Sequence, residues 1–175
     1  MSLSSNIVAA NARRFAATGL LIMPSESERT KAAGIYLGLA AIAHLSWETL
    51  QLPLYTIWTS GTPGEIAFAV FHCTAGDVLI ATGALIAAII ACRAWYWPRR
   101  GTAVAVLTIV FGLAYTAYSE WFNVEVRSAW AYSADMPIVH IGAIKLGLSP
   151  LLQWLIVPIV CFAGIRRGMI GKALR

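Results

Sequence analysis

Charge is what this chain has least of. Charged residues make up 12% of its 175 residues and hydrophobic ones 59%, whereas a soluble domain carries about 25% charged residues. With a mean hydropathy of +0.71, that balance excludes an ordinary water-soluble domain and points to an integral membrane protein. Cysteine is scarce too. Cys73, Cys92 and Cys161 form an odd set without a CxxC pair, which argues against a disulfide framework or a zinc finger. Cys92 and Cys161 read as small core residues. No HExxH or other compact metal motif is present, and there is no internal repeat or low-complexity tract. The stretch NARRFAATGLLIMP is too short to span and has no clear cleavage site, so residues 1–31 read as a cytoplasmic segment, either a helix lying on the membrane surface or a tail. The net charge of +5 does not indicate nucleic acid, because the basic residues cluster at the ends of the apolar runs.

What the chain does have is long apolar runs. Its length suits one transmembrane domain over 1–175 and leaves no room for a second. SESE at 25–28 fits a capping box, and the first span is expected over about 32–58. TSGTPG at 59–64 is a turn. The second span follows over about 66–92 and the third over about 102–122, separated by the arginines and aromatics of CRAWYWPRR. Ser149 followed by Pro150 reads as a cap with proline in the first helical turn, so the fourth span is expected over about 149–165. A helix starting near Pro137 and kinked at Pro150 is the alternative. Residues 123–148 become an ordered cap. All but Arg127 and Lys145 of the 13 basic residues fall on one side of these spans. The positive-inside rule then places both termini in the cytoplasm and the cap on the periplasmic side of a bacterial inner membrane. The predicted fold is an all-α four-helix bundle.

The most informative feature lies in the first span. His44 and Glu48 are four residues apart in an apolar run, on one helical face that Gln51 and Tyr55 extend. An ionisable residue at such a depth is costly and persists where it faces the protein interior. At the helical rise, His44 lies roughly 18 Å and Glu48 roughly 24 Å above the inner boundary. Asp77, counted back from Arg93, is also at about 24 Å, so two carboxylates are level on adjacent helices in a core about 30 Å thick. If close, they cannot both ionise cheaply. The plainer alternative is that Glu48 bonds His44 or a helix-terminal group and Asp77 bonds Thr74 or Lys145.

Three readings follow. The leading one is a buried His/carboxylate site that opens outward and binds a cation or a small lipophilic ligand, with His44, Gln51, Tyr55, His72, Glu120, Asn123, Arg127 and Trp130 as binding residues. Imidazole with carboxylate also suits a transition metal, for which His44, Glu48, His72 and Asp77 are the candidate ligands. His44 and His72 differ too much in depth for bis-histidine haem. The second reading is an acid–base enzyme on a lipid-soluble substrate, with Glu48 and Asp77 as its catalytic pair. The third is an accessory subunit, homo-oligomeric or part of a larger membrane complex, whose polar residues bond a partner helix. A Cys73–His72 nucleophile pair is poorly placed, because adjacent helical residues diverge. Gly76 and Gly83 are expected to permit close helix packing. Arg127 can pair with Glu120 or hold a lipid headgroup, and Trp121, Trp130 and Tyr132 read as an interfacial aromatic belt.

Overall fold

The computed structural model describes residues 24–94, 96–98 and 101–170. The expectations for 1–23, for Arg99 and Arg100 and for the basic tail after 170 lie outside the described residues. Helix α1 (Glu26–Gln51) opens with the expected capping box. The Ser25 hydroxyl accepts from the Glu28 N–H at 3.2 Å, and the Glu28 carboxylate accepts from the Ser25 N–H at 2.8 Å. The helix stops at Gln51, not near 58, because Pro53 has no N–H to donate and its ring crowds the preceding turn. A 3-10 turn (Leu52–Leu54) and the short α2 (Ile57–Ser60) carry the chain onward.

Helix α3 (Pro63–Ala91) starts on a second capping box, Thr62 with Glu65, with Pro63 in the first turn. Thr62→Ala removes the acceptor for the Glu65 N–H and should cost about 1 kcal/mol, seen as a lower thermal midpoint of the purified protein. An unchanged midpoint would show that this cap carries no stability. Helix α4 (Thr102–Glu120) runs on into a π-helical turn (Trp121–Val126). Helix α5 (Leu148–Ile170) begins one residue before the expected start, with Pro150 inside its first turn.

The chain is mostly helical but not all-α. Strands β1 (Ile138–Ile141) and β2 (Ile144–Gly147) form an antiparallel hairpin in which His140 faces Lys145. Gly142 sits at φ +61° in its turn, a conformation that glycine adopts without strain. The β-branched residues before and after Gly142 and Ala143 are the signal for this hairpin, which the expected ordered cap over 123–148 did not include.

Helix α1 packs on α3 and α5, and α4 closes the ring by packing on the same two helices. Among the described residues, three helical stretches are long and apolar enough to cross a membrane: Pro63–Ala91, Thr102–Val126 and Leu148–Met169. Their outward faces carry Phe68, Phe71, Leu79, Ile86, Val106, Val110, Ile156 and Ile159, all exposed. An apolar exterior of this extent marks contact with lipid or protein and is the make-up of a membrane protein. The largely apolar interior also buries the polar side chains of His44, Gln51, Thr108, Thr116, Glu120 and Gln153.

Small residues let the helices close, but not the ones expected. A side chain at Gly76 or Gly83 would meet nothing within 4 Å. At Gly112 of α4 an added Cβ would lie 2.1 Å from the Trp154 ring of α5, and at Gly164 of α5 it would lie 2.2 Å from Leu39 of α1. Sequence alone shows a glycine but not which helix leans on it.

Candidate functional site

The buried stripe of α1 repeats every four residues through Ala32, Tyr36, Ala40 and His44, and it brings His44 and then Glu48 against α3 and α5. The hub is Gln153 of α5, 2% exposed. Its amide nitrogen lies 2.9 Å from His44 Nδ1, 3.0 Å from Glu48 Oε1 and 2.8 Å from Asp77 Oδ2. His44 Nδ1 and Asp77 Oδ2 are themselves 3.3 Å apart. The Trp154 ring packs on His44 with centroids 5.2 Å apart. Glu48 Oε1 accepts a further bond from the Gln51 amide at 2.8 Å. The Ser149 hydroxyl donates to Gln51 Oε1 at 2.8 Å, and the Trp47 indole N–H reaches Ser149 at 3.2 Å. A continuous polar chain thus links α1 to the first turns of α5.

A second group lies across the mouth. The phenol of Tyr132 donates to Glu120 Oε2 and accepts from the Gly147 N–H at 2.9 Å. Burial and the neighbouring Glu120 carboxylate push the Tyr132 phenol well above its usual range, so it stays a donor. The Tyr55 and Tyr132 rings meet at 5.6 Å. Backbone bonds from Thr56 N–H to Ala131 O (3.0 Å) and from Ser133 N–H to Leu54 O (2.9 Å) zip the end of α1's connector to the cap. Between these groups lies a cleft of about 970 Å³ at the cap end of the bundle. Glu48, Asp77 and Glu120 face it from three helices, with Tyr55, Cys73, Trp130 and Trp154 among its walls. Among the described residues, its lining contains no lysine or arginine.

Of the residues singled out from sequence, His44, Glu48, Gln51 and Asp77 form one hydrogen-bonded cluster. Tyr55, His72, Glu120, Asn123 and Trp130 line the cleft. Several expected pairings do not form. His72 is exposed and its ring stacks on Phe68 at 5.3 Å, so His44, Glu48, His72 and Asp77 are not drawn together as metal ligands. Among the described residues, no group of three or more His, Cys, Asp or Glu could hold a metal ion. Arg127 does not pair with Glu120; it is exposed and lies over the Phe122 ring at 5.9 Å. The π-helical turn adds a residue per turn and rotates Arg127 off the Glu120 face. Asn123 turns back to Ser119 O at 2.9 Å. Thr74 Oγ1 is buried without a partner and does not bond Asp77. Lys145 is exposed on the hairpin, opposite His140 rather than beside Asp77. Tyr132 leaves the expected aromatic belt and points inward to Glu120.

Gln153 and Thr116 were not singled out from sequence, and Ser149 was read only as a helix cap. The signal for Gln153 was present: an uncharged polar residue early in SPLLQWLIVPIVCFAGI, at the same end of the bundle as Glu48. In α4 the stripe Val104, Thr108, Gly112, Thr116 and Glu120 is buried at every fourth residue and could have been read as an inward face. No family model, curated protein or solved structure matches this chain.

Proposed function

We propose that this chain is a four-span protein of the bacterial inner membrane whose cleft opens to the periplasmic side and binds a small amphiphilic organic cation. One observation carries this reading. Carboxylates from α1, α3 and α4 converge on a single aromatic-walled cleft whose described lining offers no lysine or arginine to neutralise them. Such a site attracts positive charge, and its aromatic and aliphatic walls suit an apolar body. The carboxylates face inward, which supports a binding site over a docking face for a partner helix. α1 shares the ring with the three more apolar helices and also exposes Leu37, Ile42, Leu45 and Leu50, which supports its spanning as the fourth helix. The orientation rests on the basic residues gathered at the end away from the cleft.

Tetraphenylphosphonium is a suitable probe. Titrated into the purified protein, it should quench the fluorescence of Trp130 and Trp154 in the cleft. Glu120→Gln should weaken binding about tenfold, equivalent to about 1.4 kcal/mol. Failure of the wild-type protein to bind, or equal binding by Glu120→Gln, would reject the cation site. Topology is tested by membrane-impermeant thiol labelling of cells in a background lacking Cys73. A cysteine at Thr62 should label from outside and one at Ser27 should not. The reverse pattern would turn the cleft toward the cytoplasm.

A further inference from the structure

The cleft has a roof but lacks one side wall. The connector after α1 is fastened to the cap by hydrogen bonds from the Thr56 N–H and hydroxyl to Ala131 O, at 3.0 and 3.3 Å. The Ser133 N–H and hydroxyl return the link to Leu54 O and Pro53 O, at 2.9 and 3.0 Å. Thr56 and Ile57 on one side of this seam and Trp130 and Ala131 on the other all line the cleft. The seam therefore closes the cleft's end toward the aqueous side.

A cleft that opened only through its roof would expose lining residues only at the helix ends. Here the exposed lining runs down the sides of two helices. On α3, Phe68 is 69% exposed and His72 is exposed; on α4, Tyr115 is 48% exposed. All three line the cleft. At the helical rise, His72 lies roughly 14 Å below the start of α3 and Tyr115 roughly 8 Å below Glu120, well inside a hydrocarbon core about 30 Å thick. The outward neighbours Phe71 and Tyr118 are exposed as well, so this rim belongs to the lipid-facing surface. The Phe68 and His72 rings stack at 5.3 Å and give the α3 lip a flat aromatic edge. One turn below His72, Gly76 lines the cleft, and a Cβ there would meet nothing within 4 Å. The way from lip to interior is open.

We propose that the cation enters sideways from the outer leaflet, between the cap-end halves of α3 and α4, so that the ligand is one that partitions into the bilayer before it binds. The inference rests on the cation reading above and gives it a route and a narrower class of ligand. An opening at this depth takes a molecule that is already in the membrane. A water-confined ion would have to cross lipid to reach the lips. A phospholipid brings a phosphate that Glu48, Asp77 and Glu120 repel. An amphiphilic cation meets both demands. Its apolar body lies among the acyl chains with its charge near the interface, and inside the cleft the same charge meets carboxylates with no lysine or arginine beside them.

Cys73, in the cleft wall on the cap side of Asp77, reports arrival. The full-length protein carrying Thr62→Cys is reconstituted in liposomes and offered either a long-chain maleimide dissolved in the lipid or a sulfonated maleimide confined to the water. Peptide mass spectrometry reads each cysteine separately, and Thr62→Cys, exposed before α3, shows that the water-borne reagent is active. The lipid-borne reagent should modify Cys73, the sulfonated one should modify Thr62→Cys and spare Cys73, and saturating tetraphenylphosphonium should protect Cys73 from the lipid-borne reagent. Modification of Cys73 by the sulfonated reagent as readily as Thr62→Cys would mean entry from water through the roof; it overturns the side entrance and leaves the cation site standing. A Cys73 that neither reagent reaches in the folded protein, though both modify it after unfolding, also overturns the entrance. Labelling from lipid alone, with no protection and no tryptophan quenching by tetraphenylphosphonium, rejects the cation reading and the cation route with it, with the side opening supported by the labelling alone.

Discussion

Gln153→Leu should lower the unfolding free energy by roughly 3 kcal/mol, because it leaves buried acceptors without their donor. Leucine is close to glutamine in volume, so the loss reports hydrogen bonding and not a cavity. The amide serves His44, Glu48 and Asp77 at once, on two other helices, so its removal also loosens the contacts of α5 with α1 and α3. A buried acceptor that loses its donor bears its full desolvation cost, whereas an exposed one recovers a bond from water. The measurement is reversible denaturation of the purified protein beside a Gln51→Leu control. Gln51 donates to Glu48 alone, so that variant should cost less. Equal stabilities for wild type and Gln153→Leu would show that the four-residue cluster does not hold the bundle together.

Gly112→Ala is the second large effect. The added methyl group would sit 2.1 Å from the Trp154 ring, well inside van der Waals contact, and the ring is itself buried, at 1% exposure. Either α4 moves outward or the indole leaves its place. Overpacking of this kind costs about 1–3 kcal/mol. The functional consequence is separate from the stability loss. Trp154 packs on His44 at 5.2 Å and lines the cleft, so a displaced indole changes both the support of His44 and the wall that meets ligand. The variant should melt lower than wild type and show an altered tryptophan emission maximum. Trp154→Leu in the Gly112→Ala background should restore part of the stability by removing the clash. No change in melting or emission would mean that the helices part at this crossing at negligible cost.

The membrane character, the capping box at Ser25 and Glu28 and the polar face of α1 were legible in the residues because each rests on local information. Hydropathy, cap chemistry and a four-residue spacing need no knowledge of what packs against them. The level of Glu48 with Asp77 followed from helical rise alone, and both do meet one donor in the folded chain. Arg127 and Lys145 went the other way. Their expected partners presumed a continuing helix or an extended cap, and a π-helical turn and a hairpin redirected them.

What the sequence by itself determined is a mostly helical, strongly apolar chain with carboxylates at costly positions. Composition and periodicity act within one segment, and they dictate which face of a helix is polar. What only the tertiary structure decided is who answers those carboxylates. Gln153 is more than 100 residues from Glu48 in the chain, and its reach to His44, Glu48 and Asp77 depends on how α5 rotates against α1 and α3. That rotation is governed by close contacts such as Trp154 on Gly112 and Leu39 on Gly164. Side-chain packing between distant segments has no local signature, because the same glycine or glutamine is equally at home on an exposed face.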